Sequence, residues 1–218
     1  MTTRKTFTVL ENNPEVMNHL AYKLGLSKEL AFYDVYSLYD SDLLSHIPRP
    51  VYALLEEDNP KGIYDKSGPQ EPVVWFKQTI DHACGSIGLL HCLFNNPEVV
   101  QKIAPGSDLE RILKDSIPLK MTERADVLYN SDPLEAAHEE AAKLGDTIAP
   151  DVQGAERLGQ HFVAFVKAKD GHLWELEGSR KGPLDRGQLA EDEDALSETA
   201  LKLGLGRLID IESRRVEI

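Results

Sequence analysis

Residues 78–94 read QTIDHACGSIGLLHCLF, and this stretch predicts a helix that is apolar on nearly every side. The residues of one face recur at helical spacing: Ala83, Ile87, Leu90 and Phe94. Such a helix belongs in the interior of a protein. Asp81 is predicted to cap its start by accepting hydrogen bonds from the unpaired N–H groups of the first turn. The fold is therefore expected to be built around this helix.

Cys84 falls in the first turn of the predicted helix. The positive end of the helix dipole favours the thiolate there, which makes the sulfur a candidate nucleophile. The side-chain amide of Gln78 and the backbone N–H of Cys84 are two candidate donors to an oxyanion. Three small residues are expected to leave room for a substrate backbone near the sulfur: Gly85, Ser86 and Gly88. The alternative is that Cys84 is a small buried apolar residue, the role we assign to Cys92.

The composition predicts one domain over residues 1–218, because 41% of the 218 residues are apolar and no repeat or linker divides them. The start, MTTRKTFTVL, has no apolar signal core, and no run is long enough to span a bilayer. We therefore expect a monomeric cytoplasmic protein, also compatible with the nucleus, that does not bind membranes. The two cysteines lie on one helix and are too far apart for a disulfide.

The net charge is −13 at pH 7, which argues against a nucleic-acid surface and favours neutral or basic partners. No cluster of residues has the spacing of metal ligands, and no cofactor is expected.

Patterns along the rest of the chain predict alternating helices and strands. Helices are predicted over residues 14–24, with Asn13 as the cap, and over residues 41–46, 108–117, 123–130 and 131–145. Extended segments are predicted over residues 31–36, 51–55, 73–76, 161–168 and 173–176. Residues 59–72 and 145–160 are predicted loops. The second loop is either a gate over the active site or a plain surface connection.

A hairpin is predicted around Lys169-Asp170-Gly171. A two-residue turn would place Glu177 on the wrong face for His161. A three-residue loop with Gly171 in the left-handed conformation instead places Glu177 opposite Val163 and diagonal to His161. Diagonal neighbours are roughly 7–8 Å apart at the backbone, which a glutamate side chain spans. We therefore predict the three-residue loop.

Cys84, His161 and Glu177 then form a nucleophile, a base and an acid that orients the base. Imidazole can hold the thiol proton as an ion pair, and a carboxylate on its other nitrogen sets the tautomer and the ring direction. The remaining histidines are less suitable. His82 lacks an orienting partner, His91 is predicted to be a satisfied interior histidine, and three others are predicted on the surface: His46, His138 and His172. His19 is predicted to face away from the apolar stripe of its helix.

These residues resemble the signature blocks of the ubiquitin C-terminal hydrolases, peptidase family C12. Three blocks carry the resemblance: residues 78–89 (Gln78, five residues, then CGSIGL), 161–164 (HFVA) and 174–178 (WELEG). The match extends to residues 10–16 (LENNPEV), 47–51 (IPRPV), 123–125 (ERA) and 149–150 (AP). The blocks occur in the same order as in the family and cover nearly the whole chain, which makes the combined resemblance specific.

The resemblance implies an α+β, papain-like fold with a central antiparallel sheet between helices and a knotted backbone. It implies thiol hydrolysis of bonds to the C-terminal glycine of ubiquitin or a related modifier. Gln78 would stabilise the oxyanion, Cys84 would attack, and His161 would act as base and then as acid. Residues 145–160 match the family's crossover loop.

Two segments match ubiquitin contacts of the family. The first comprises Val9, Leu10, Glu11, Asn12, Asn13 and Pro14. The second comprises Ala142, Lys143, Leu144, Gly145, Asp146, Thr147, Ile148 and Ala149. The acidic charge of the chain suits the basic tail of ubiquitin.

Two departures from the family pattern stand out. Glu177 replaces the usual aspartate and is displaced by one inserted residue, which the three-residue loop would absorb; we expect activity to be retained. The family's terminal strand also runs past the position of Ile218, from which we expect a weaker sheet or a weaker ubiquitin contact. The alternatives are a ubiquitin-binding protein with a crippled site and a thiol hydrolase of small amides or esters.

Overall fold

Residues 4–57, 70–146 and 162–206 are the part of the chain that the computed structural model describes. The helices in these ranges are α1 (Pro14–Leu24), α2 (Ser41–Leu44), α3 (Cys84–Phe94), α4 (Pro97–Val100), α5 (Asp108–Ser116), α6 (Met121–Tyr129), α7 (Asp132–Ala142) and α8 (Glu198–Leu203). The strands are β1 (Ala53–Glu57), β2 (Phe162–Lys167), β3 (His172–Leu176) and β4 (Leu184–Gln188). The predicted helices are confirmed within a few residues at each end.

The four strands form one antiparallel sheet in the order β1-β2-β3-β4. In the β2–β3 hairpin, Ala164 pairs with Leu176 and Lys167 pairs with Leu173. Gly171 has φ +80°, in the left-handed region that glycine adopts without strain. The register and the glycine conformation confirm the predicted three-residue loop. β2 is nearly fully buried, as expected for a central strand.

Helix α3 is the interior element of the fold, as predicted. Every residue from Gly85 to Phe94 is buried. On one side Cys92 joins a cluster with β2 and β3, which includes Ala164 and Leu176. Other α3 side chains join the main core, where α1 contributes Leu20. Because apolar residues surround nearly the whole helix, both the sheet and the helical layer can pack against it.

The opposite face of the sheet is covered by α8. Val163 and Phe165 of β2 form a cluster with Leu173 of β3 and with Leu201 of α8. The sheet is thus central and antiparallel, with helices on both faces, which confirms the predicted α+β class. The knot implied by the resemblance stays a prediction.

Two predicted extended segments do not join the sheet. Residues 31–36 have no regular structure, because the side chain of Asn18 binds the backbone there: its Oδ1 accepts from Phe32 N at 2.7 Å and its Nδ2 donates to Phe32 O at 3.1 Å. Residues 73–76 are bound in the same way, since Val74 N donates to Asn95 Oδ1 at 2.5 Å. Side-chain amides therefore replace the strand partner that these segments would need.

The extended segment predicted over residues 51–55 also differs in its position. β1 begins at Ala53, two residues after the predicted start at Val51, because the backbone N–H of Val51 donates to Asp194 Oδ2 at 3.0 Å. The predicted loop over residues 59–72 lies largely outside the described residues.

Candidate active site

Cys84 is the first residue of α3 and is half-buried. The predicted cap is wrong: no side chain of the described residues caps this helix, and the carboxylate of Asp81 pairs with Arg4 Nη1 at 2.9 Å. The backbone of Asp81 is also engaged, because Phe7 N donates to its carbonyl oxygen at 2.9 Å. The first-turn N–H groups of α3 thus have no carboxylate cap, and the helix dipole acts on Cys84.

The turn into α3 is strained at His82, a non-glycine residue with φ +61°. Such conformations cost on the order of 1–3 kcal/mol and persist where the surrounding structure holds them. The neighbouring bonds of Asp81 to the N-terminal segment supply this restraint. The start of α3 is therefore held by tertiary contacts rather than by a local cap.

The small residues after Cys84 are packed against protein, which corrects the prediction that they leave space for a substrate. A Cβ at Gly85 would lie 3.1 Å from Leu10 Cδ1 and 3.2 Å from Leu10 Cβ. Ser86 and Gly88 are buried within α3. Gly85 lets the N-terminal segment approach the first turn of the helix, which brings Leu10 beside the residue that follows Cys84.

Gln78 lies on a segment that is bonded to the turn after β3. Its backbone N–H donates to Gly178 O at 2.8 Å, and Trp75 Nε1 donates to Glu177 O at 3.1 Å. A Cβ at Gly178 would lie 3.1 Å from both Gln78 Cβ and Ile87 Cγ2. Glycine at 178 therefore lets the Gln78 segment, α3 and the end of β3 meet at one point.

The side chain of Gln78 is held close to the helix start. Its Nε2 donates to Ile80 O at 3.2 Å, and its Oε1 is buried without a hydrogen-bond partner among the described residues. A primary amide carries two donor hydrogens, so this geometry uses one of them within the chain.

Glu177 is fully buried directly after β3. Its Oε1 accepts from Ser179 N at 2.5 Å, and its Oε2 lies 3.3 Å from Arg180 Nε. Arg180 is equally buried and also pairs with Glu175, whose other oxygen pairs with Arg186. Two carboxylates and two guanidinium groups balance their charges in this network, which a buried site requires.

Lys77 extends the same network to the turn. Its Nζ donates to Ser179 O at 2.7 Å and to Arg180 O at 2.6 Å. Burial lowers the pKa of the Lys77 ammonium, while the charge of Glu177 opposes that shift. The lysine thus fixes the backbone that follows Glu177.

His161 lies outside the described residues, so its distances to Cys84 and Glu177 stay predictions. The open end of the β2–β3 hairpin is formed by Phe162 and Leu176. Glu177 follows Leu176 in the chain, and the confirmed register is the one from which the His161–Glu177 pairing is predicted.

The two predicted ubiquitin-contact segments come together in the structure. A Cβ at Gly145 would lie 2.8 Å from Glu11 Oε2, so the segment after α7 lies against the segment before α1. Asn12, Lys143 and Asp146 are exposed. The segments also contain partly buried residues: Val9, Glu11, Asn13, Pro14, Ala142, Leu144 and Gly145. Thr147, Ile148 and Ala149 lie outside the described residues.

Two of these residues have structural roles. Leu10 is only 4% exposed and belongs to the main core, which leaves little of its side chain for a partner. Asn13 accepts from Val16 N at 2.9 Å and caps α1, as predicted.

Ser86 and His138 form a buried pair that was not predicted from the sequence. His138 was predicted on the surface, but it is fully buried, and its Nδ1 lies 2.6 Å from Ser86 Oγ. Its Nε2 lies 2.5 Å from Thr8 O. The burial could have been found from the helical spacing of His138 with Leu134, Ala137 and Ala141 of α7, which are all buried.

Other predictions for histidine and cysteine are confirmed. His91 is a buried interior residue that accepts from Phe76 N at 3.0 Å. Burial raises the pKa of the Cys92 thiol to about 12, so this cysteine stays protonated and apolar. His172 is partly exposed, and its pKa is raised because its Nδ1 donates a hydrogen bond to the carboxylate of Asp185.

Within residues 4–57, 70–146 and 162–206, no group of three His, Cys, Asp or Glu side chains is arranged to hold a metal ion. The helices of these ranges include none that is long and apolar enough to cross a bilayer.

Comparisons with known proteins agree with the resemblance. The family model "Ubiquitin carboxyl-terminal hydrolase, family 1" matches residues 7–208. Ubiquitin carboxyl-terminal hydrolase 3 of Arabidopsis thaliana is 37% identical over 84% of this chain and 80% of its own length. Ubiquitin carboxyl-terminal hydrolase YUH1 of Saccharomyces cerevisiae is 33% identical over 82% of this chain and 78% of its own length.

A solved structure shows the same fold. The Trichinella spiralis UCH37 catalytic domain bound to ubiquitin vinyl methyl ester matches with a TM-score of 0.71. The alignment covers 94% of this chain and 89% of that domain, at 21% sequence identity.

Proposed function

The chain belongs to family 1 of the ubiquitin carboxyl-terminal hydrolases and is a cysteine-type deubiquitinating hydrolase, and we propose that Cys84 is its nucleophile. The substrates are ester, thioester, amide and isopeptide adducts of the C-terminal glycine of ubiquitin. The single observation that best supports the assignment of Cys84 is its position as the half-buried first residue of the interior helix α3.

The reaction proceeds in two steps on this sulfur. His161 holds the thiol proton of Cys84, the thiolate attacks the carbonyl carbon of the ubiquitin glycine, and the carbonyl electrons move onto oxygen. Collapse of this intermediate expels the leaving group, which takes a proton from His161, and a thioester remains. Water then gives a proton to His161 as its oxygen attacks the thioester. Cleavage of the carbon–sulfur bond releases the thiolate, which is again paired with the protonated His161, and the glycine carboxyl group loses its proton to solvent as it leaves.

The oxyanion is stabilised by the backbone N–H of Cys84 and by Gln78. One hydrogen of Gln78 Nε2 is donated to Ile80 O, and the proposal assigns the other to the developing charge. Removing one oxyanion donor typically lowers kcat by about 10²–10³. The bond from Gln78 N to Gly178 O holds the segment in place for this role.

Glu177 orients His161 in this proposal, in place of the family's aspartate. Its carboxylate is held by Ser179 N and by Arg180, which keeps a longer side chain in a single position. His161 is covalently bonded to Phe162, at the open end of the hairpin where Glu177 follows β3. The hairpin register predicted from the sequence would therefore bring carboxylate and imidazole to the same end of the sheet.

Ubiquitin is the proposed partner of the surface where Glu11 meets Gly145. Exposed Asn12, Lys143 and Asp146 belong to this surface. The charge of −13 on the chain suits the basic tail of ubiquitin.

A ubiquitin with a C-terminal electrophile tests the proposal. We expect covalent labelling of the parent protein and none of Cys84→Ser, with Cys92→Ser as the matched control that still labels. Binding without labelling would instead identify a ubiquitin-binding protein with a crippled site. Neither binding nor labelling, combined with hydrolysis of small amides or esters, would identify a small-molecule thiol hydrolase.

A further inference from the structure

Ser86, His138 and Thr8 form a chain of hydrogen bonds that begins in the first turn of α3. Ser86 lies in the first turn of α3, two residues after Cys84. Its hydroxyl lies 2.6 Å from His138 Nδ1, and His138 Nε2 lies 2.5 Å from the carbonyl oxygen of Thr8. Ser86 and His138 are both fully buried. Three separate parts of the chain thus meet at one imidazole.

The acceptors determine the tautomer of this imidazole. A carbonyl oxygen only accepts, so Nε2 must carry the hydrogen that is donated to Thr8. In the neutral ring Nδ1 is then an acceptor, and the Ser86 hydroxyl donates to it. Burial lowers the pKa of His138, which keeps the ring neutral near pH 7. Both hydrogen bonds therefore have a defined direction. Ser86 Oγ donates to His138 Nδ1, and His138 Nε2 donates to Thr8 O.

The surroundings of His138 hold it in place. Phe7 packs on its ring with centroids 4.5 Å apart. Its neighbour Glu139 accepts from Thr8 N at 3.0 Å and from Thr8 Oγ1 at 2.7 Å, so Thr8 is bound to α7 at three atoms. Glu135 is the other acidic group that faces the ring, and it pairs with Lys5.

Thr8 directly precedes residues 9–14, the proposed ubiquitin-contact segment. His138 belongs to α7, which leads into the second contact segment. The imidazole therefore connects the first turn of the nucleophile helix to both parts of the binding surface.

We propose that His138 is a positioning residue of the hydrolase: through Ser86 it holds the first turn of α3 and the Cys84 sulfur, and through Thr8 it holds the substrate-contact segment. This inference rests on the proposed function. It assigns a second histidine a role that does not involve proton transfer to substrate.

Two substitutions separate the two bonds. His138→Asn keeps an acceptor near the position of Nδ1 and loses the donor to Thr8. His138→Gln keeps a donor near the position of Nε2 and loses the acceptor for Ser86. We expect His138→Gln to lower kcat on a ubiquitin fluorogenic ester about tenfold with little change in KM, and His138→Asn to raise KM severalfold with kcat nearly retained.

Ser86→Ala decides the test if either histidine variant fails to fold, because it removes one hydroxyl and leaves the imidazole in place. We expect the same roughly tenfold loss of kcat, slower alkylation of Cys84 by iodoacetamide, and no further loss of kcat in the double variant Ser86→Ala, His138→Gln. His19→Gln is the matched control, since His19 makes a partly exposed hydrogen bond with Glu140 of α7.

Parent values of kcat and KM in Ser86→Ala would overturn the positioning role. So would equal effects of His138→Asn and His138→Gln on both constants in folded protein. A parent protein that does not hydrolyse the ubiquitin ester would refute the proposed function instead, and the alkylation rates of Cys84 would still test the positioning role.

Discussion

The backbone N–H of Gln78 donates to the carbonyl oxygen of Gly178 across 2.8 Å. This bond joins the segment that leads into α3 to the turn that follows β3. Glu177 directly precedes Gly178, so one backbone contact positions both the proposed oxyanion donor and the proposed orienting acid. Gly178 is central to this arrangement because three chain segments meet where its side chain would be.

Gly178→Ala should therefore impair both folding and catalysis. The added Cβ would lie 3.1 Å from Gln78 Cβ and Ile87 Cγ2, so the Gln78 segment and α3 must each shift by a few tenths of an ångström away from residue 178. We expect a loss of about 1–3 kcal/mol in the free energy of unfolding and a clear fall in kcat. Denaturant titration and ester hydrolysis measure the two effects.

Gly106→Ala is the control for this substitution. Gly106 has φ +75° and no atom within 4 Å of its would-be Cβ. Alanine there should cost about 1 kcal/mol through backbone strain and leave kcat unchanged. Unchanged kcat in Gly178→Ala would show that the close approach is not needed for catalysis.

Glu177→Gln and Glu177→Ala test the orienting role of this carboxylate. Loss of the orienting acid lowers triad catalysis strongly without abolishing it, and we expect a fall in kcat of roughly 10²–10⁴. Covalent labelling by a ubiquitin electrophile should become slower but still occur. Equal hydrolysis of the ubiquitin ester by the parent and by Glu177→Ala would contradict the role.

Arg180→Met should be among the most destabilising single substitutions in the described part of the chain. It removes the partner shared by the buried carboxylates of Glu175 and Glu177. Breaking a buried ion pair from one side typically costs about 3–5 kcal/mol. Adding Glu175→Gln should restore part of the free energy of unfolding, and an additive double variant would argue against the network.

Cys92→Ala should leave activity intact. This thiol is buried, and its pKa of about 12 keeps it protonated. Iodoacetamide should modify one cysteine in the folded protein and two after unfolding, as counted by mass spectrometry. Two modified cysteines in the folded protein would show that Cys92 is accessible.

The free energy of unfolding should fall as the pH drops below about 6.5, in part through His138. Burial lowers the pKa of this group in the folded protein, so the unfolded chain binds a proton first and is favoured as the pH falls. His138→Gln should therefore lose less thermal stability than the parent between pH 7.5 and pH 5.5.

His172 changes the free energy of unfolding in the opposite direction over the same pH range. Its pKa is raised in the folded protein, so its protonation stabilises the fold at low pH. This stabilisation is lost as the pH rises through the pKa of the folded state. His172 is present in both the parent and His138→Gln, so its contribution cancels when their pH dependences are compared. An equal pH dependence of both proteins would exclude His138 as a contributor.

Local sequence signals predicted the parts of the fold that local chemistry determines. Asn13 before Pro14 caps α1, and Gly171 sets the three-residue loop of the hairpin. The extended segment predicted over residues 31–36 does not form a strand, because the side chain of Asn18 in α1 binds its backbone. No pattern within the strand could indicate that partner.

The candidate site shows the same limit. Cys84 at the start of α3 was predictable, whereas the absence of the Asp81 cap depends on Arg4 and on the bridge to the N-terminal segment. The burial of His138 was present in the helical spacing of α7, but its partners Ser86 and Thr8 come from distant positions.

The pairing of β1 with β2 has a consequence for synthesis of the protein. Glu57 pairs with Phe162, so β1 cannot join the sheet until the ribosome has synthesised β2. Contacts of such long range slow folding and leave apolar surface uncovered in the meantime. The Cys84 thiol is therefore synthesised well before β2, the central strand that the finished sheet requires.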